Sequence, residues 1–216
     1  MKKIFTLSLH FTSLVFATSQ LAGEKLNILF IAIDDLKPTI GAYTNAVPTP
    51  AMDRIAARGT TFLNAHCQQA VCGPSRASAL TGKYPDFTQI WDLKTKIRAI
   101  HPEIITLTQH FKNNGYLTAG VGKIFDPRSV DKGADSRSWS EAYTQIWHLT
   151  YNKKTGKPIG HYHNSKSKTL GAEDKNANWS AVNKKLFAND AWPVVEALDV
   201  PDDAYDDGAI AAHAVK

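Results

Sequence analysis

The sequence is poor in cysteine and has no apolar run long enough to form a transmembrane helix. Cys67 and Cys72 are the only cysteines among 216 residues, which excludes a disulfide-framework protein. The net charge of +5 is too small to indicate nucleic acid; it fits polyanionic ligands and an ordinary solvated surface equally well. With 43% hydrophobic and 21% charged residues, the composition is that of a globular protein long enough to bury a substantial core.

The first 22 residues have the pattern of a secretory signal peptide. Lys2 and Lys3 form its charged start, Ile4–Ala17 its short apolar stretch, and Ala17-Thr18-Ser19 its small-residue cleavage site, with Ala22 as the other candidate. No cysteine lies near that site, so no lipoprotein anchor is expected. The mature protein, from residue 23, is therefore expected to be periplasmic or secreted and to have no membrane anchor.

The segment Val71–Gly82 predicts a helix with a reactive residue at its start. It reads Val-Cys-Gly-Pro-Ser-Arg-Ala-Ser-Ala-Leu-Thr-Gly, in which Pro74 suits the first turn and Gly82 suits the end. Cys72 then lies at the helix N-terminus, where unpaired N–H groups favour an anion, and Arg76 lies one turn on, on the same face. The alternative is a structural cysteine, either buried or in a Cys67–Cys72 disulfide.

A pair of carboxylates follows an apolar run near the start of the mature chain. Leu26–Ile33 reads Leu-Asn-Ile-Leu-Phe-Ile-Ala-Ile, which predicts a central strand buried on both faces. Asp34 and Asp35 come directly after it. Adjacent carboxylates repel each other, and a divalent cation is the simplest way to offset that repulsion.

A third segment should bring a lysine to the same end of the sheet. Thr106 and Gln109 have capping-box spacing, and Gly115 is expected to end the helix that they begin. Tyr116–Val121 then predicts a short strand, which leaves Lys123 and Asp126 in the loop at its carboxyl end. That loop should lie beside Asp34 and Asp35 if the strands are parallel.

The remaining pattern predicts a helix from Pro50 to about Gly59, a short strand over Thr60–Asn64, and an irregular insertion over about residues 128–190. A last helix begins near Asp207 and the sequence stops inside it. Within the insertion, Trp139, Tyr143 and Trp147 have four-residue spacing. We expect them to share a helical face that packs inward, the alternative being an exposed face that stacks on sugar rings.

These motifs resemble those of the sulfatase family. A cysteine followed by Pro74-Ser75-Arg76, with Leu80-Thr81-Gly82 behind it, resembles the signature at which sulfatases oxidise a cysteine to formylglycine, and Asp34-Asp35 resembles the metal-binding pair of that family. The resemblance narrows to the iduronate-2-sulfatase-like branch. It is carried by residues 27–38, 68–76, 114–116, 122–125 and 198–201.

The resemblance implies an α/β fold of the alkaline-phosphatase-like class, a mixed β-sheet between helices, incomplete at the C-terminus. Residues 23–216 would be the N-terminal part of its catalytic domain. It also implies one calcium ion, bound by Asp34, Asp35 and the formylglycine formed from Cys72, with catalytic roles for Arg76 and Lys123. Lys123 and Asp126 would bind substrate, although Asp126 stands where a histidine is expected and cannot donate to sulfate as a cation.

The implied activity is removal of sulfate from a sulfated sugar or polysaccharide, such as a sulfated uronic acid, after a formylglycine-generating enzyme has matured residue 72. Two alternatives remain open: a phosphonate or phosphodiester hydrolase of the same superfamily, and a non-catalytic chain that only binds calcium or sulfated glycan. Because the resemblance places further ligands downstream, the 216-residue chain alone is expected to be poorly stable and inactive.

Overall fold

The computed structural model describes residues 25–145, 151–152, 157–158, 163–172, 179–191 and 196–216. The proposed signal peptide, Trp147 and several parts of the expected insertion lie outside these residues. The chain divides into two units, residues 1–31 and 32–216. Of the first unit, residues 25–31 are described; they form no helix or strand.

The helices begin and end near the signals that the sequence carries. In chain order they are α1 (Pro50–Ala56), α2 (Cys72–Thr81), α3 (Pro85–Thr88), α4 (Ile97–Ile100), α5 (Leu107–Asn113), a 3-10 turn (Ser136–Ser138), α6 (Ser165–Ala172), α7 (Trp179–Ala188) and α8 (Asp206–Ala214). The helices predicted after Thr49, Val71, Thr106 and near Asp207 are all present.

Two helix termini illustrate the local chemistry. Gly82 ends α2 in the left-handed conformation, with φ of 64°, and its N–H donates to the Ser78 carbonyl at 2.9 Å. At the start of α5 the Thr106 hydroxyl accepts a hydrogen bond from the Gln109 N–H at 3.2 Å. Both termini therefore form as the residue pattern indicates.

The strands are short. β1 (Val121–Gly122) pairs in parallel with β2 (Thr144–Gln145), and β3 (Tyr151–Asn152) pairs antiparallel with β4 (Lys157–Pro158). The described residues thus combine helices with two small sheets. Of the strand expected over Tyr116–Val121, Val121 is paired in the sheet.

Two predicted strands are wrong. Residues 26–33 and 60–64 contain no strand, and the side chains of the first segment are exposed, by 77% for Leu26 and 82% for Leu29. A buried strand needs backbone partners on its edges and other residues against its faces. The two sheets of the described residues are formed by other segments, so the apolar run has no ladder of its own.

The core of the second unit lies around α2. It consists of the buried residues Ala77, Leu80, Ile90, Ile97, Phe125, Val130 and Trp139. The Trp139 ring packs against those of Phe125 and Tyr143, with centroids 6.2 Å and 4.9 Å away, and its Nε1 donates to the Ala134 carbonyl at 2.8 Å. Inward packing of Trp139 is confirmed, but the helix expected to carry it is not: Trp139 follows the 3-10 turn in an extended conformation.

The C-terminal residues pack on the same unit. The Ile210 side chain of α8 lies against Gly122, where a Cβ atom would approach it to 3.0 Å. Glu196 joins residues 163–164 to the segment before α8, because it accepts hydrogen bonds from the N–H groups of His163 and Asn164 and from the Tyr205 hydroxyl. In the described part of the chain, no helix is both long and apolar enough to cross a membrane.

Candidate active site

Cys72 is the first residue of α2 and lies among charged side chains from distant parts of the sequence. Its thiol donates to Asp126 Oδ2 at 3.1 Å, and Arg128 Nη2 lies 3.5 Å from its sulfur. Cys67 and Cys72 are both free thiols, so the alternative of a disulfide between them is not formed. The side chain at position 72 is therefore open to chemistry at a helix N-terminus.

Arg76 joins the two loops of the site. Its Nη1 donates to the backbone carbonyls of Lys123 and Ile124, the second at 2.9 Å, and its Nη2 donates to Asp34 Oδ1 at 2.9 Å. The Arg76 side chain is only 12% exposed. Its guanidinium therefore holds protein oxygens, whereas the sequence led us to expect it to hold the nucleophile or an anion.

Lys123 lies where the sequence places it, beside Asp34. Its Nζ is 2.6 Å from Asp34 Oδ2 and 3.6 Å from Asp126 Oδ2. Burial alone would raise the pKa of Asp34, but hydrogen bonds from Lys123 and Arg76 outweigh it and hold that pKa below its usual range. For Lys123 burial lowers the pKa, and Asp34 more than offsets this, so the pKa is raised. Both groups are therefore charged at neutral pH.

Asp126 is the most buried charge of the site, at 1% exposure. Arg128 holds it through two side-chain contacts, Nε to Oδ1 at 2.9 Å and Nη2 to Oδ2 at 2.8 Å. Burial would raise the pKa of Asp126, but the bonds from Arg128 and Cys72 hold it well below its usual range. The Arg128 side chain is 53% exposed. Arg128 is not among the site residues predicted from the sequence.

The expected calcium ligands do not form a metal site in this arrangement. Both oxygens of Asp34 face cations, and Asp35 is exposed, in a left-handed conformation with φ of 53°. Within the described ranges no three His, Cys, Asp or Glu side chains are grouped so that they could hold a metal ion. Calcium takes about six to eight oxygen ligands, so Asp34, Asp35 and residue 72 do not suffice as they stand.

The charges of the cluster favour an anion. Three cations, Arg76, Lys123 and Arg128, surround two carboxylates, Asp34 and Asp126. These five ion-paired side chains thus carry one excess positive charge next to the side chain of residue 72, whereas Asp35, which follows Asp34, is exposed to solvent. A bound monoanion would neutralise that charge.

The sequence of this chain is similar to known proteins of one family. The family model described as Sulfatase matches residues 26–202. Mouse iduronate 2-sulfatase is 36% identical over 197 residues, and human iduronate 2-sulfatase is 42% identical over 120 residues. N-acetylgalactosamine-6-O-sulfatase of Bacteroides thetaiotaomicron is 36% identical over 106 residues.

These alignments cover different shares of the molecules. They include 90%, 54% and 47% of this chain in the mouse, human and bacterial comparisons. The chain in turn spans 32%, 22% and 20% of the three relatives. It therefore corresponds to about a third of the mouse protein's length, and Cys72, Arg76 and Lys123 all lie within the residues that the family model matches.

Proposed function

Because the chain belongs to the sulfatase family, we propose that it is the N-terminal part of a sulfuric ester hydrolase that removes sulfate from a sulfated sugar. The observation that carries the proposal is the convergence of Arg76, Lys123, Asp126 and Arg128 around Cys72 at the start of α2. This is the family's modification motif set in a cluster with excess positive charge, which suits an anionic ester.

Cys72 supplies the reacting group after maturation. A formylglycine-generating enzyme oxidises its side chain to an aldehyde, and the hydrate of that aldehyde offers an oxygen nucleophile to the sulfur of the ester. The bond between sulfur and the sugar oxygen breaks, the sugar leaves as an alcohol, and loss of sulfate from the hemiacetal regenerates the aldehyde. The surrounding residues of this chain position that group. Asp126 accepts a hydrogen bond from the side chain of residue 72, as it does from the thiol at 3.1 Å.

Arg76 and Lys123 have different roles in this proposal. Arg76 fixes the loop that carries Lys123, since it binds the backbone carbonyls of Lys123 and Ile124. Lys123 binds the sulfate oxygens. Its side chain is 31% exposed and its ammonium group lies between Asp34 and Asp126, so the group can turn toward an anion beside residue 72 and offset developing charge on that anion.

The mechanism proposed for this chain uses its own residues and assigns no step to calcium. Sulfatases generally use calcium together with formylglycine, and we propose Asp34 and Asp35 as the carboxylates that this chain contributes to such a site. Asp34 would first have to exchange its contacts with Arg76 and Lys123 for the metal. The described residues supply no complete ligand set, so we assign no step to the ion.

The same family membership supports a place outside the cytoplasm. Residues 1–22 have the sequence of a secretory signal, and we propose that the protein acts in the periplasm or after secretion. Its partners would be a sulfated carbohydrate, with a sulfated uronic acid as the first class to test, and the maturation enzyme that acts on Cys72.

The mass of the tryptic peptide of residues 59–76 tests the proposal, since this peptide contains both cysteines. The chain is expressed with a formylglycine-generating enzyme, and free thiols are alkylated before digestion. We expect one alkylated cysteine, Cys67, and an aldehyde at position 72. Two alkylated thiols, with a control substrate of the enzyme converted alongside, would refute the proposal. Aryl sulfate and aryl phosphonate substrates, offered to the full-length matured protein, separate a sulfatase from a phosphonate hydrolase.

One observation favours a second candidate, a chain that binds sulfated glycan without turnover. Both carboxylate oxygens of Asp34 accept from cations, Oδ1 from Arg76 and Oδ2 from Lys123, and the ion-paired side chains around residue 72 comprise three cations and two carboxylates. This hypothesis of a non-catalytic chain would be supported if the thiol at position 72 persists and the protein is retained on a sulfated polysaccharide.

A further inference from the structure

Asp126 and Arg128 form a single unit beside residue 72. The Asp126 carboxylate, 1% exposed, accepts from Arg128 Nε and Nη2, and its Oδ1 also accepts from the Arg128 backbone N–H at 3.0 Å. The guanidinium of Arg128 is thus fixed along one edge. Its Nη2 still lies 3.5 Å from the Cys72 sulfur, so the fixed cation borders the position where the sulfate ester would react.

The other edge of this guanidinium is available. In the part of the chain that the structure describes, hydrogen bonds from Arg128 involve its backbone N–H, Nε and Nη2, which leaves both Nη1 protons for a ligand. Arg76 differs, because both of its terminal nitrogens donate to protein oxygens and its side chain is 12% exposed. Arg128 is 53% exposed. Of the two guanidinium groups, Arg128 is the one that can bind an anion without breaking a contact.

We propose that Arg128 binds the sulfate group of the substrate and that Asp126 is the residue that positions it. This inference rests on the proposed function and assigns a sulfate-binding residue within it. Asp126 cannot donate a hydrogen bond to sulfate. It does hold the guanidinium of Arg128, which is planar, permanently charged and able to donate. The Asp126–Arg128 pair therefore supplies the cationic donor that Asp126 alone lacks.

A simpler explanation predicts the opposite effect of one substitution. If the cluster attracted anions only through its net charge, Asp126→Asn would add a positive charge and strengthen sulfate binding. If Asp126 instead positions Arg128, the same change releases the guanidinium and weakens binding, while Asp126→Glu, which keeps the carboxylate, restores part of it. The sign of the change separates the two explanations.

The experiment uses the full chain with Cys72 unmodified and measures the rate at which phenylglyoxal modifies individual arginines. A lysine-specific protease gives Arg128 in the peptide of residues 124–132 and Arg137 in that of residues 133–153. Arg137 is a matched control, because its side chain is 51% exposed. Inorganic sulfate and an aryl sulfate ester are compared with chloride at equal ionic strength, which keeps screening constant.

At a sulfate concentration about nine times its dissociation constant, modification of Arg128 should slow about tenfold, since roughly one tenth of the sites remain free. Modification of Arg137 should not change. Asp126→Asn should weaken sulfate binding about tenfold, or about 1.4 kcal/mol, because Arg128 loses the charge-assisted hydrogen bonds that fix its guanidinium. It should also speed modification of Arg128 in the absence of sulfate. An Arg128 rate that sulfate leaves unchanged, or tighter sulfate binding by Asp126→Asn, would overturn the proposal.

The test on the unsubstituted chain does not depend on how any variant folds, and it is independent of turnover. Protection of Arg128 in a chain that never forms an aldehyde would sustain this inference while the proposed catalytic function fails. Conversely, a matured full-length enzyme whose KM for sulfate ester is unchanged in Arg128→Lys would overturn this inference and leave the proposed function standing.

Discussion

Replacement of Arg76 by lysine should loosen the loop that carries Lys123. Arg76 reaches three oxygens: the backbone carbonyls of Lys123 and Ile124, and Asp34 Oδ1. A lysine has one terminal nitrogen on a side chain without the guanidinium fork, so it cannot span all three. We expect at least one carbonyl of the loop to lose its charged donor in Arg76→Lys.

The size of the effect follows from the number of bonds lost. A hydrogen bond to a charged group contributes about 1.5–3 kcal/mol, and water can replace part of it at this partly exposed site, so we expect a loss of about 2 kcal/mol in local stability. Amide hydrogen exchange of residues 123–125 should then accelerate roughly 30-fold, because 1.4 kcal/mol corresponds to a factor of ten.

The matched control is Arg137→Lys. Arg137 donates to the Pro102 carbonyl at 2.8 Å and lies 3.7 Å from the carboxylate of Glu103, which is 89% exposed. Exposed ion pairs contribute about 0–1 kcal/mol, so amide hydrogen exchange in Arg137→Lys should accelerate only a few-fold. Exchange is followed by mass spectrometry on both variants at one pH. Equal acceleration of residues 123–125 in the two variants would refute the role given to Arg76.

Three further outcomes can be checked. Gly73→Ala should displace α2 and lower the hydrogen-exchange protection of that helix, because the new Cβ would lie 2.9 Å from Ser129 Oγ. Gly59→Ala should leave this protection unchanged, because the nearest atom to its new Cβ is 3.4 Å away. Equal protection of α2 in the two variants would contradict the prediction. Hydrogen bonds hold the pKa of Glu196 at about 2, against burial that would raise it. The stability it contributes is present above its ordinary pKa and should be lost on acidification toward pH 2, but not in Glu196→Gln, as measured by exchange of residues 163–164. Leu29→Ser should reduce light scattering from self-association, because Leu29 is 82% exposed; unchanged scattering would show that this residue is not involved.

Four of the described helices, α1, α2, α5 and α8, could be predicted because their signals are local, whereas α6 and α7 lie within residues 128–190, where we expected an irregular insertion. Thr106 and Gln109 lie within one turn, and the N–H that the hydroxyl binds belongs to the same turn. Gly82 ends α2 by its own left-handed conformation. Such elements require no distant partner, so the sequence pattern and the structure agree within a residue or two.

The strands could not be predicted in this way because a strand is completed by its neighbours. The run Leu26–Ile33 has the composition of a buried strand, yet its residues in the structure are largely exposed. These residues would form a strand only if other strands paired with their backbone and other side chains packed against both faces. The large mixed sheet expected from the family resemblance therefore remains a proposal, and the two small sheets of the described residues do not contradict it.

The sequence predicted which residues belong to the site more fully than it predicted which atoms those residues contact. We expected Lys123 beside Asp34 on the condition that the strands before them are parallel; the structure contains that contact at 2.6 Å, although residues 26–33 form no strand. The partners of Arg76 did not follow, because a motif at a helix N-terminus indicates an anion-binding function without indicating which oxygens the arginine meets. Here those oxygens belong to the protein.

Arg128 was missed although a local signal for it exists. Asp126, Pro127 and Arg128 are consecutive, and an aspartate can accept from the backbone N–H two residues on, as Asp126 Oδ1 does at 3.0 Å. Pro127 restricts the backbone between them. Once that turn forms, the Arg128 side chain lies alongside the same carboxylate, which is why Nε and the backbone N–H share Oδ1. In an Asp-Pro-Arg sequence after a site lysine, the aspartate alone predicts a negative charge at this position. The turn that follows it nevertheless places the positively charged guanidinium of the arginine there.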